Sequence, residues 1–246
     1  MARPSTAHDA PRETRRSSPR TPSRNRGVQR FQALVDATEA LLIEHNPEDI
    51  GLYQIAERAG VPPASVYHFF PTKEAGFIAL AQRYLEWFQD SIYLPVKLAG
   101  LASWQDLMAA DLRSAMTYYN SHPPALKLLY GGYGGVATKQ ADFLMMEGLA
   151  RSLYRRYEAT FHMPFIREPE KKLHLALNIN DAVWSYSYVR HGEITEEYYE
   201  EALSACVAYC RLFLPERVEL RDEIKDLAAR GERAVLTPTP SGPITT

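Results

Sequence analysis

Between Gly60 and Pro71 the chain has room for one short helix, held between two breaks. Leu52, Ile55, Ala56 and Ala59 fall at i, i+3, i+4 and i+7, one face of a helix, and Gly60 follows as a left-handed cap. Pro63 suits the first turn of the next helix, where the N–H it lacks would have no partner. Pro71 stops that helix near Phe69, because its ring removes a donor and disfavours helix in the residue before it. Val66 and Phe70 are four apart and face inward, which leaves Ala64, Ser65, Tyr67 and His68 outward. Ala56 is small, so the second helix can cross close above it. A short helix set steeply after a tight turn, presenting small and polar groups, is a helix-turn-helix.

The rest of the chain reads as helix almost throughout. Phe31, Leu34, Val35, Leu41 and Leu42 mark one helix face ahead of the motif. A long helix opens at Lys73 and runs to about Leu94. "SWQD" at Ser103 to Asp106 is a capping box for a helix to about Ser121. Pro123-Pro124 breaks the pattern, and "GGYGG" at 131–135 separates a short helix from a long one over 138–160. Glu168-Pro169 opens a further helix ended by Gly192, Thr195 caps the next to about Leu214, and a weaker stretch covers 217–230. No strand pattern is present. The expectation is an all-α chain: an N-terminal three-helix helix-turn-helix domain, joined by a long helix to a second helical domain. The boundaries read as a basic arm over 1–26, the motif over 27–74, the larger domain over 75–215 and a C-terminal extension with a floppy tail over 216–246.

Charge is distributed unevenly. The chain of 246 residues has a net charge of −2, yet residues 1–30 hold eight arginines against Asp9 and Glu13. The arm is rich in Ser, Pro, Thr and Arg and nearly lacks large apolar groups, so burial cannot offset the entropy of ordering it. It reads as disordered, either a solvated tail or a phosphate-seeking arm through Arg24, Arg26 and Arg30. Two cysteines, Cys206 and Cys210, make no disulfide framework; four apart on one helix face, they read as small packing residues before a thiol switch or half a metal site. No apolar run is long enough for a membrane span and no secretory signal is present, so a cytoplasmic protein without a membrane partner is expected. The histidines are scattered, and no nucleophile elbow, phosphate loop or metal-ligand spacing appears. No enzyme, cofactor or metal is expected.

Residues 28–78 resemble the DNA-binding domain of the TetR family of transcriptional regulators, through "IAERAGV" followed by "SVYHFFPTKEA". The resemblance implies a homodimer that binds a double-stranded DNA operator through the motif, and a second domain that binds a small-molecule effector and dimerises through its last two long helices. The DNA-facing set is Gly51, Pro63, Ala64, Ser65, Tyr67, His68, Thr72 and Lys73. Ala64 and Ser65 are short enough to enter the major groove, Tyr67 and His68 reach flanking phosphates, and Lys73 holds a phosphate at a helix start. The chain departs from the family pattern in several places. Pro62 and Pro63 stand where polar residues are usual, Ala64 where Gly is common, Phe69 where His is frequent, and Ile50-Gly51 where a Ser/Thr pair caps the second helix. Readout by thymine methyls and DNA shape is therefore expected.

Residues 80–215 are dense in aromatics and Met, which reads first as core. The resemblance implies an effector cavity among them, and the density of aromatics around the glycine-rich break and on the helix of Trp184 puts Trp87, Tyr118, Tyr130, Met145 and Trp184 along part of it. Tyr and Trp pair an apolar body with one polar tip, which suits a largely apolar effector. Asn178, Asn180 and Asp181 interrupt an apolar helix, facing solvent, a cavity or a dimer seam. Two functions stay open: a regulator, repressor foremost, released by such an effector, or a DNA-binding protein of the same fold acting through a protein partner.

Overall fold

The computed structural model describes residues 18–91, 96–131, 135–234 and 236. Residues 1–17 of the arm, Tyr133 within the glycine-rich break and the tail from 237 lie outside the described residues. By their contacts the described residues form two compact units, one running to Gln82 and taking in 135–142, the other holding the described residues from Arg83 to Gly131 and from Phe143 on.

The first unit is built from α1 (Asn25–Glu44), a 3₁₀ turn (Pro47–Asp49), α2 (Leu52–Ala59), α3 (Pro63–Phe69) and the start of α4 (Lys73–Ser91). Leu34, Val35, Leu41 and Leu42 bury the apolar face of α1. Ile55 and Ala56 of α2, Val66 of α3 and Phe77 and Leu80 of α4 complete the core. Gly60 turns the chain at φ +64°, a conformation only glycine adopts without cost, and its N–H caps the carbonyls of Ala56 and Glu57. The edge of Phe31 meets Phe69 at 5.9 Å and Phe70 at 5.5 Å, which ties the end of α3 to α1.

The second unit contains α5 (Trp104–Asn120), α6 (Pro123–Tyr130), α7 (Gly135–Thr160, from Phe143), α8 (Pro169–His191), α9 (Glu196–Cys210) and α10 (Asp222–Ala229). Ser103 Oγ accepts from the Asp106 N–H while Asp106 Oδ2 accepts from the Ser103 N–H, the expected capping box. Asn120 forms a reciprocal pair across the unit, donating to the Ile194 carbonyl at 2.8 Å and accepting from the Ile194 N–H at 3.0 Å. The buried Trp104 donates to the Pro215 carbonyl at 3.0 Å.

The chain is all-α, with two local differences from expectation. A two-residue antiparallel pair joins β1 (Val96–Lys97) to β2 (Arg233–Ala234). Two residues are too few to show the period-two pattern of a strand. Thr195 precedes α9 without a side-chain cap: its N–H donates to Ser187 Oγ at 3.1 Å and its own hydroxyl is buried without a hydrogen-bond partner.

Candidate nucleic-acid interface and ligand cavity

In the first unit, α3 buries Val66, Phe69 and Phe70 and leaves its other face bare. Pro63, Ala64, Tyr67 and His68 are exposed, Tyr67 by 58%, and Ser65 is half-buried. These residues share one face, as expected. Phe69 is a core residue, so its aromatic ring packs where the family pattern puts a polar contact.

Three flanking residues sit differently from a simple phosphate-binding set. Gly51 is the N-cap of α2, and its N–H donates to Gln54 Oε1 at 2.6 Å; with no side chain it returns nothing, so half a capping box forms. Thr72 is half-buried, and its hydroxyl has no hydrogen-bond partner. Lys73 donates its ammonium to the carbonyls of Pro47 and Glu48, both at 3.0 Å. Two of its three donors are therefore held inside the unit, and they fasten the start of α4 to the 3₁₀ turn.

The arm requires a correction. Asn25 and Arg26 are the first residues of α1, and residues 18–24 run along the first unit instead of leaving it. The backbone N–H of Arg20 donates to the carbonyl of Phe69, the last residue of α3, at 2.9 Å. Pro22 lies so close to Gly27 that a Cβ there would meet it at 2.8 Å. A helix C-terminus offers carbonyls without partners, and a backbone N–H can use one whatever the side chain. Composition therefore could not show this attachment. Arg24, Arg26 and Arg30 are all exposed.

In the second unit, a small pocket partly open to solvent lies between α5, α7, α8 and α9. Met108, Leu112, Leu153 and Leu173 supply much of its apolar wall, and Asp111, Tyr157, Asn180 and Cys206 also line it. None of the five residues expected to line an effector site does so here. Instead, Trp87 stacks on Tyr118 with ring centres 3.6 Å apart and planes 8° from parallel. Tyr130 and Trp184 meet edge to face at 6.1 Å, and Tyr119 touches Tyr118, Tyr130 and Trp184. Tyr118, Tyr119, Tyr130 and Trp184 are buried among one another, while Trp87 caps Tyr118 from an exposed position. Met145 is half-buried.

The polar groups near the cavity are few. Asp111 accepts from Arg156 at 3.1 Å, and both side chains are withdrawn from solvent. Burial pushes the Asp111 carboxyl up to about 6, against the pull of the Arg156 guanidinium. Asn180, 3% exposed, turns its amide nitrogen toward Asp181 Oδ1 at 3.5 Å, an oxygen that also accepts from Tyr130 at 3.3 Å. Asn178 donates to the His174 carbonyl. Burial raises Cys206 and Cys210 to about 12, so both remain thiols; Cys206 donates to the Ala176 carbonyl at 3.3 Å. Among the described residues no cluster of His, Cys, Asp or Glu is placed to hold a metal, and no helix is long and apolar enough to cross a membrane.

Sequence reasoning missed Asp111, although a signal was present. Met108, Leu112 and Ala115 mark the buried face of α5, and Asp111 falls on it at i+3.

Residues 34–80 match the family model of the bacterial regulatory proteins, TetR family. No curated protein matches the chain. Among solved structures, a TetR-family transcriptional regulator from Streptomyces coelicolor aligns with a TM-score of 0.53 at 21% identity, over 76% of this chain and 98% of that one. A TetR transcriptional regulator from Rhodococcus sp. RHA1 aligns with a TM-score of 0.55 at 16% identity, over 74% of this chain and 95% of that one. SmeT, the repressor of the Stenotrophomonas maltophilia multidrug efflux pump SmeDEF, aligns with a TM-score of 0.51 at 16% identity, over 79% and 92%. At these identities the structures speak for the fold, and the match over 34–80 for the family of the DNA-binding segment.

Proposed function

From the TetR-family signature over residues 34–80 and the fold of TetR regulators, we propose that this chain is a transcriptional regulator. It binds a near-palindromic operator as a homodimer and releases it when a small, largely apolar molecule occupies the second unit. The observation that carries the reading is the bare face of α3: Ala64, Ser65, Tyr67 and His68 outward, Val66 and Phe70 locked beneath, and the helix fixed by the Gly60 turn. The start of α3 enters the major groove, where short side chains let the backbone come close and leave readout to methyl contacts and DNA shape. Tyr67, His68 and the exposed arginines Arg24, Arg26 and Arg30 supply phosphate contacts. Thr72 and Lys73 set the position of α4 behind them.

A dimer is supported by α8. Leu175, Tyr186 and Val189 are exposed large apolar residues on it, and their spacing of 11 and then 3 keeps them on one stripe. A second copy presenting the same stripe would cover it with closed two-fold symmetry. Two recognition helices then meet successive major grooves about 34–36 Å apart, and the effector favours a state in which that spacing is lost. Repression is the direction supported by SmeT, which is named for it.

The test is selection from random double-stranded DNA with the full chain, followed by fluorescence anisotropy on the winning sequence at several salt concentrations. The expected result is an inverted repeat bound far more tightly than scrambled DNA of the same length. A chain that binds all duplexes alike, or none, would overturn the reading.

A further inference from the structure

Two buried polar atoms without a hydrogen-bond partner belong to residues lining the same cavity: Asp111 Oδ2, from α5, and Asn180 Oδ1, from α8. Both are acceptors. The other Asp111 oxygen already accepts from Arg156. The Asn180 amide is oriented by Asp181, since turning it over would bring its oxygen against a carboxylate oxygen. The wall around them is mostly apolar; its other polar groups are the Tyr157 hydroxyl and the Cys206 thiol, and the thiol is already spent on the Ala176 carbonyl. A buried acceptor left without a donor is costly, and a molecule that brings one removes that cost on binding.

We infer that this cavity takes an apolar molecule whose polar head donates hydrogen bonds, an alcohol O–H or an amine N–H, into Asp111 Oδ2 and Asn180 Oδ1. Apolar carboxylates are refused. Such a head can only accept at neutral pH, it would arrive beside the Asp111 carboxylate, and Arg156 is already held by that carboxylate. A fully apolar molecule fills the wall yet leaves both acceptors as they were. The inference rests on the reading of the second unit as effector-binding and names the chemistry of the effector.

The experiment uses the full chain and four probes on one ring: toluene, benzyl alcohol, benzylamine and benzoate, measured by calorimetry and by thermal shift without DNA. Benzyl alcohol and benzylamine should bind about tenfold tighter than toluene, and benzoate should neither bind nor stabilise. In Asn180→Leu, benzyl alcohol should weaken to the level of toluene while toluene binds at least as well as before. If that variant does not fold, the order of the four probes on the unaltered chain still decides. Equal binding of toluene and benzyl alcohol, binding of benzoate, no binding of any probe, or an Asn180→Leu chain that keeps the preference for benzyl alcohol each overturns the inference. Operator release is scored separately. Probes that bind in the stated order without releasing DNA refute the effector reading alone. Release by a molecule with no donor head, with that order absent, refutes this inference alone.

Discussion

The backbone N–H of Arg20 donates to the carbonyl of Phe69 at 2.9 Å, so the basic arm is fastened to the last residue of the recognition helix. The arm is thus partly a structural element of the DNA-binding unit. Its exposed arginines start from a fixed point on that unit and not from a free tail.

Arg20→Pro should therefore separate tether from charge. Proline removes the one N–H that makes the bond and also the side-chain charge, so Arg20→Gln serves as its partner control. The proline variant should lose about 1 kcal/mol of stability, and the glutamine variant little. Both should weaken DNA binding more at low salt than at high salt, because arginine–phosphate attraction is screened. Urea melts and anisotropy titrations check this; equal melts for the two variants would remove the tether.

Lys73 and Tyr67 should part company in the same measurements. Lys73→Ala leaves the carbonyls of Pro47 and Glu48 without their shared donor and should destabilise the protein by about 1–2 kcal/mol, with weaker binding to operator and random DNA alike. Tyr67→Ala removes an exposed ring and should leave the melting temperature unchanged while weakening DNA binding. If Lys73→Ala melts like the unaltered chain and flattens the salt dependence of binding by about one phosphate contact, the ammonium belongs to DNA and not to those carbonyls.

What the sequence revealed and what it hid follow from how far each constraint reaches. Gly60, Pro63 and Pro71 act on their own backbone, and Ser103 with Asp106 acts over one turn, so the turns, the short α3 and the start of α5 were legible. Lys73 finds its partners in Pro47 and Glu48, and Arg20 finds Phe69; no local pattern announces either. The aromatic residues were legible as a group but not as a packing arrangement. Trp87 against Tyr118 and Tyr130 against Trp184 are the same residue types whether they enclose a cavity or fill one. Asn180 stood out as a polar break in an apolar helix, and its burial beside the cavity gives that break a use.

Val189→Glu tests the apolar stripe of α8. Val189 is 74% exposed, so the change should leave the fold of the monomer intact. In a dimer it would set two carboxylates into an apolar seam, and analytical ultracentrifugation should show a monomer at concentrations where the unaltered chain is dimeric. Operator affinity should fall with it, since one recognition helix holds only one half-site. A dimer of undiminished strength would move the seam off this stripe.

Asp111 gives a pH dependence with a definite sign. Its carboxyl titrates near 6 in the folded chain, above the ordinary value of about 4 in an unfolded one, so the fold holds that proton more tightly. The contribution is fully present below about pH 4 and is lost as pH rises through about 6. Glu44, Glu196 and Glu216 act in the opposite sense, each held low by an arginine, but they are exposed and weigh little. Compared with Asp111→Asn, the unaltered chain should lose stability on the order of 2 kcal/mol between those limits. Melting curves of both proteins across that range check it; a constant difference would show that Asp111 does not titrate there.

The small β1–β2 pair joins segments that lie far apart in sequence. Val96 lies opposite Ala234, and the Leu98 N–H donates to the Glu232 carbonyl, so the segment after α4 is completed by residues that follow α10. Helices α1 to α3 contact partners close in sequence and can form as they leave the ribosome, whereas this pairing closes a loop that spans most of the chain. A chain lacking β2 would therefore carry an assembled first unit while the backbone of residues 96–98 stays without these partners.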